Sequence, residues 1–125
     1  MSKDDSYHRY RDYFTAFLPG IVGQLLMEDL KSLSTCFEIS VTDQKDPPWV
    51  LVIEAGRLTG LEKSGQESVC TFRVETDILL EIVTARLSPQ EAFFNMDIHL
   101  DGDIEMGLRL SMVLEPFFQK FPYGD

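Results

Sequence analysis

The sequence predicts an α+β fold on three observations: an aromatic stripe at helical spacing near the start, a middle stretch of period-two alternation, and a return to helical patterning beyond residue 75. In the first region Tyr7, Tyr10, Phe14 and Phe17 recur at helical spacing with Tyr13 alongside, which predicts an amphipathic helix. Pro19-Gly20 interrupts it, because proline lacks an amide donor and glycine loosens the backbone. Val22, Leu25, Leu26, Leu30 and Leu33 then share one face of a second helical stretch. Packing against the chain's own core is the favoured use of the aromatic stripe. The sharper reading is a homodimer or protein-partner contact, or a lid over a ligand site.

From Cys36 the period changes to two, with Phe37, Ile39 and Val41 alternating with Glu38, Ser40 and Thr42, as in a half-buried strand. Asp43 to Pro48 reads as a turn region with two prolines, and Trp49-Val-Leu-Val-Ile53 as a central strand apolar on both faces. Ala55-Gly56 predicts a tight turn into a short strand at Arg57 to Leu61, and Lys63 to Gln66 a second turn. Val69 to Val74 alternates again, with Cys70, Phe72 and Val74 on one face. Four strands joined by short turns predict an antiparallel meander.

Beyond it, Thr76 is the expected N-cap of a helix over Asp77 to Val83, its hydroxyl accepting an orphan amide. Ser88-Pro-Gln-Glu91 is the strongest local signal: Ser88 as N-cap, Pro89 at the first helical position and Glu91 closing a capping box. Ala92, Phe93 and Phe94 follow. Asp97 to Asp101 alternates as a fifth strand, with Ile98 and Leu100 opposite His99. Gly102 turns the chain and Asp103 caps a last helix to about Leu114, which Pro116 ends or kinks. The expected architecture is one domain over residues 1–125, with an N-terminal helical segment at 1–34 and a core at 35–118. Its five strands form a mostly antiparallel sheet with helices on one face.

Composition narrows function by exclusion. Nine phenylalanines suit either a densely packed core or a cavity for an apolar ligand, and on composition alone the packed core is favoured. Eleven basic against 21 acidic residues leave a net charge of −10, with the cations scattered. Nucleic-acid binding and tight docking on anionic lipid both need clustered cations, so neither is expected. The two cysteines, Cys36 and Cys70, form no CxxC and read as small hydrophobes in strands. The opening MSKDDSYHRYRDY has no apolar run, so no signal peptide is expected. No stretch reaches the ~18 apolar residues that a bilayer span requires. The cytoplasm is the expected compartment.

Groups for chemistry are sparse. His8 sits near the terminus and His99 on the polar face of a strand, neither beside a nucleophile motif. Two cysteines and two histidines at these spacings match no zinc pattern. The cluster Asp101, Asp103 and Glu105 invites a calcium loop, but its sixth and twelfth positions hold Met106 and Met112. An acidic first helical turn facing the helix dipole explains it better. No phosphate loop occurs, and no cofactor or metal is expected. What stands out is apolar: Ile78, Leu79, Ile82 and Val83 in one stripe, and Ile104, Met106, Leu108, Leu110, Met112, Val113 and Leu114 around much of the last helix. Gly107 leaves room there for another backbone or a ligand.

The run Asp77-Ile-Leu-Leu-Glu-Ile-Val83, then Leu87-Ser-Pro-Gln-Glu-Ala-Phe-Phe94, then Ile98-His-Leu-Asp-Gly-Asp103 and Gly107-Leu-Arg-Leu110, resembles the sterol carrier protein type-two family. Trp49-Val-Leu-Val-Ile53 before a glycine turn is similar to that family's second strand. The resemblance spans roughly Phe37 to Leu114 and leaves out the N-terminal helices and the FPYGD tail. It implies a five-stranded sheet covered by helices with a hydrophobic tunnel between them. Such proteins bind sterols, fatty acids, acyl-CoAs or phospholipids and are generally not enzymes; others are domains of larger enzymes or accessory factors in isoprenoid-quinone biosynthesis. Two departures are the absence of a C-terminal peroxisomal targeting tripeptide and the strongly acidic charge.

On this reading the chain holds an apolar ligand, fatty acyl, sterol-like, phospholipid or isoprenoid, and performs no chemistry. The expected lining is Trp49, Leu51, Ile53, Phe72, Leu79, Val83, Phe93, Phe94, Leu100, Leu108 and Met112. Arg109 is a candidate for a polar head group, against which a surface salt bridge is favoured. The alternative is an accessory subunit that presents lipid or isoprenoid-quinone intermediates to partner enzymes and docks through the N-terminal aromatic stripe. An enzyme is the weakest reading, since the sequence offers no carboxylate placed inside such a cavity.

Overall fold

Apolar alternation in five short stretches builds the sheet. A computed structural model of the chain describes residues 3–21, 23, 34–63 and 68–124, so the expected second helical stretch around Leu25 to Leu33 and the turn at 64–66 lie outside the described residues. The strands are β1 (Thr35–Val41), β2 (Trp49–Glu54), β3 (Arg57–Lys63), β4 (Cys70–Val74) and β5 (Ile98–Gly102). The helices are α1 (Lys3–Asp12), α2 (Thr76–Val83), α3 (Pro89–Phe94) and α4 (Ile104–Lys120). The fold is α+β, and its sheet, ordered β3-β2-β1-β4-β5, is mostly antiparallel.

The meander is corrected at its fourth strand. β1, β2 and β3 form it, but β4 crosses back to pair with β1 in parallel, Ile39 beside Phe72 and Val41 beside Val74. A hairpin between β3 and β4 would leave one edge of β1 with a row of unpaired amides and carbonyls; the crossing satisfies them. The β2–β3 turn is the expected two-residue one, with positive φ at both Ala55 (52°) and Gly56 (78°). That conformation matches the twist of the flanking strands.

Period-two alternation puts Phe37, Ile39, Val41, Trp49, Leu51, Ile53, Phe72, Val74 and Ile98 into one core with the buried sides of the helices. α1 supplies Tyr10 and continues through a wider turn at Tyr13–Phe17, where the Leu18 amide donates to the Tyr13 carbonyl, and a 3-10 turn at Leu18–Ile21. The wider turn lets the neighbours Tyr13 and Phe14 both face inward. The Phe14 ring stacks on Trp49 at 4.8 Å, and Trp49 Nε1 donates to the Tyr10 hydroxyl at 2.7 Å. Tyr10 in turn donates to Asp46 Oδ2 at 3.2 Å, while Arg11 pairs with Asp46 Oδ1 at 3.1 Å. The aromatic stripe therefore belongs to this chain's own core and does not offer Tyr10, Tyr13 or Phe14 as a docking face. The C-terminal tail closes the same corner: the Tyr123 hydroxyl donates to Asp12 Oδ2 at 2.8 Å, and its amide donates to the Val83 carbonyl at 2.8 Å.

The N-caps at Ser88 and Asp103 follow the sequence, although among the described residues Glu91 does not close the expected capping box onto Ser88, and a third helix departs from it. Ser88 Oγ accepts from the Gln90 amide at 3.2 Å, and Asp103 Oδ1 from the Met106 amide at 3.0 Å. Thr76, expected as N-cap of α2, is instead its first residue and is itself capped from the β1–β2 turn. Its amide and hydroxyl both donate to Asp43 Oδ1, at 2.9 and 2.8 Å. Thr76 Oγ1 then accepts from Gln44 Nε2 at 2.8 Å, so this buried hydroxyl is satisfied on both sides.

Pro116 does not end α4, which runs on to Lys120. Proline removes the amide that would serve the Met112 carbonyl, but both residues lie on the exposed side of the helix, open to solvent. The extension matters to the core, because it brings in Phe117 and Phe118.

Candidate functional site

Between the inner face of the sheet and α2, α3 and α4 lies a cavity of about 40 Å³. The sheet contributes Ile39, Phe72, Val74 and Ile98; α2 contributes Leu79 and Ile82, α3 its first residue Pro89, and α4 Ser111, Leu114 and Phe118. The exposed inner surface is wholly apolar. Ser111, the one polar residue in the wall, spends its hydroxyl on the Leu108 carbonyl at 2.7 Å. Such a wall offers dispersion contacts and exclusion of water, with no acid, base or nucleophile in it. Volume is the limit. Ligand pockets usually enclose roughly 300–1,000 Å³, so among the described residues this space is a small void, with Phe72, Leu114 and Phe118 in its wall.

Across Ile82, Pro89 and Phe118 a second recess of about 50 Å³ opens outward, bounded also by Ala85, Leu87, Ser88, Glu115 and Gln119. A separate, open groove of about 530 Å³ runs along α1 past His8, Arg9, Arg11, Asp12, Thr15 and Tyr123.

Residues 20–115 match the SCP-2 sterol transfer family. This chain belongs to that family. Among curated relatives, sterol carrier protein 2 of Rattus norvegicus is 28% identical over 93 residues, 71% of this chain, and that of Oryctolagus cuniculus 26% over 91 residues, 70% of it. The matched stretch is 17% of either relative's length, so it corresponds to a small part of those proteins. Among solved structures, the UbiJ-SCP2 ubiquinone synthesis protein superposes with a TM-score of 0.60 at 10% identity, over 98% of this chain and 99% of its own. The Aedes aegypti sterol carrier protein 2 like 2 crystal structure gives 0.58 at 17% identity, over 90% and 99%. The palmitated form of that mosquito protein gives 0.54 at 17%, over 91% and 95%. At these identities the structural likeness speaks for the SCP-2 fold.

Within that SCP-2 fold, and among the described residues, the cavity against α2, α3 and α4 takes two of the eleven expected lining residues. Phe72 and Leu79 are in its wall. Trp49, Leu51, Ile53 and Val83 are buried in the surrounding core, Trp49 beneath Phe14 and Val83 beside the C-terminal tail. Leu100 is half-buried and fills the space left by Gly107, where an added Cβ would fall 2.3 Å from its Cδ2. The room at Gly107 is thus taken by a leucine, not by a ligand. Phe93 is half-buried; Phe94 and Met112 are exposed at 75% and 58%, and Leu108 is exposed too. These three correct the sequence reading. α4 turns Gly107, Leu110, Ser111, Leu114 and Phe118 inward, which leaves Ile104, Leu108 and Met112 outside at a spacing of four. Arg109 is also exposed, on that outer side.

Sequence reasoning missed several wall residues of this SCP-2 cavity. Ile39, Val74 and Ile98 carried a usable signal, because they alternate in phase with Phe72 and pair with it or beside it. Ser111 carried none, since a serine does not announce an apolar wall. Phe118 was placed beyond the expected end of α4. Elsewhere, Asp101 pairs with Arg73, and burial together with nearby Asp103 pushes the Cys70 thiol up to about 11.

Proposed function

We propose that this chain binds and carries an apolar ligand without chemistry. The observation that carries the reading is the wholly apolar void between sheet, α2 and α4, in a chain of the SCP-2 sterol transfer family. Each 100 Å² of ligand surface taken from water contributes about 2.5 kcal/mol, so an acyl or polycyclic body is held by burial alone. Entry requires expansion from about 40 Å³. Phe118 and Leu114 on α4 are the side chains that must yield. The sterol carrier relatives and the palmitated mosquito neighbour support a lipid of this kind. With a net charge of −10, the carrier works free in the cytoplasm and not bound to anionic bilayers.

The test combines recovery and titration. Native mass spectrometry with organic extraction should recover a lipid from the purified chain, and a fluorescent acyl probe should shift the emission of Trp49, whose strand partner Ile39 lines the void. Ser111→Phe, which fills the void, should abolish probe uptake. No recovered lipid together with an unchanged Trp49 signal would sink the reading.

A second reading has one observation behind it. The near end-to-end likeness to a ubiquinone synthesis protein supports a role as an accessory subunit that presents isoprenoid intermediates to enzymes. Extraction that returns a polyprenyl compound would favour it over a general lipid carrier.

A further inference from the structure

The apolar void and the outer recess share three wall residues, Ile82, Pro89 and Phe118. They are neighbouring compartments with those side chains in both walls. A rotation of Phe118 would join them into a path from core to surface. The inner compartment exposes no polar atom, whereas the outer one is bounded by Ser88, Glu115 and Gln119. An amphiphile on this path lies with its tail inward and its head in the recess.

We propose that this recess selects a neutral, hydroxyl-type head group and rejects an anionic one; the inference rests on the carrier reading above. Glu115 and Gln119 stand one turn apart on α4, on the same side of the helix. Neither has a hydrogen-bond or ion-pair partner among the described residues, so both stand free for a ligand. A hydroxyl donates to the Glu115 carboxylate and accepts from the Gln119 amide at once. The Ser88 oxygen already accepts from the Gln90 amide and keeps its own proton to donate. A carboxylate or phosphate in the same place meets Glu115 as a like charge in a half-buried setting, where screening by water is reduced. No cation among the described residues lines the recess to offset it, and Arg86 in the adjoining loop has an interaction of its own.

The experiment is a displacement titration on the full chain with a matched pair, hexadecan-1-ol and hexadecanoate, against one fluorescent acyl probe. The alcohol should bind at least about fivefold tighter than the acid. Glu115→Gln should bring the two within about twofold, by raising the affinity for the acid. Gln119→Ala should weaken the alcohol alone. Unfolding curves of both variants, which should match the parent chain, check that the fold is intact. If the acid binds as well as the alcohol to the unmodified chain, or if Glu115→Gln leaves their ratio unchanged, the head-group assignment is wrong while the carrier reading stands. If neither compound displaces the probe and no lipid is recovered, the carrier reading falls and takes this inference with it.

Discussion

The N-terminal helix and the outer side of α4 carry similar apolar stripes and have opposite fates. Tyr10, Tyr13 and Phe14 vanish into the core, Phe14 completely. Ile104, Leu108 and Met112, with Phe94 and Met96 from α3 and the turn after it, stay in solvent, Met96 at 74%. Helical spacing reports that a stripe exists. It does not report what lies opposite. α1 finds the aromatic end of β2 and the returning tail, whereas α4 already satisfies the sheet with its other side. The residues expected as lining, Phe94, Leu108 and Met112, thus lie in solvent, while Tyr10 and Phe14 take the core-packing use favoured for the stripe over a docking face.

The largest expected difference between the two regions is in stability. Phe14→Ala should cost about 3–5 kcal/mol in urea unfolding, since it removes a fully buried ring stacked on Trp49. Phe94→Ala tests the other half of the contrast and belongs with the small effects below. Equal costs at the two positions would erase the distinction.

High pH should act on the N-terminal corner next. Burial pushes Tyr10 up to about 12, and burial pushes Tyr13 and Tyr123 in the same direction. A tyrosine raised on folding favours the protonated, folded state. Its contribution is complete below the unfolded value near 10 and is lost as pH climbs toward the folded one. Stability measured by unfolding should therefore be flat from neutrality to about pH 9, where Cys70 begins to add the same sign, and fall steeply above 10. Tyr10→Phe should shallow that fall; an unchanged slope would place the sensitivity elsewhere.

Two smaller tests probe polar detail in the buried region. Asp43→Ala strips the amide and hydroxyl of Thr76 of their shared acceptor and should cost about 1–2 kcal/mol. Tyr13→Phe removes a buried hydroxyl that has no hydrogen-bond partner among the described residues. It should leave stability unchanged or raise it by about 1 kcal/mol. A loss there would reveal a partner for that hydroxyl. Smallest of all, Phe94→Ala and Met112→Gln should each stay within about 0.5 kcal/mol of the parent chain.

Strand positions were legible to within a residue or two, because alternation in β1 and β4 and the Ala55-Gly56 turn are local properties. The Ser88 and Asp103 caps were legible for the same reason. The parallel β1–β4 pairing was not, since strand partners depend on which edge lacks hydrogen bonds once β2 and β3 have folded. Thr76 shows the same limit: the right residue type stood one position inside the helix, and its partner came from 33 residues earlier.

For the candidate site, the residue sequence by itself determined an α+β domain with a large apolar interior, few groups suited to catalysis, and a segment order that resembles sterol carriers. Only the tertiary structure decided which apolar residues face one another. Phe72 and Leu79 reached the void, Phe94 and Met112 turned to water, and Phe118 entered because α4 ran past Pro116. The physical reason is that periodicity sets a side chain's direction relative to its own element. Burial also requires a second surface, and that surface comes from distant parts of the chain.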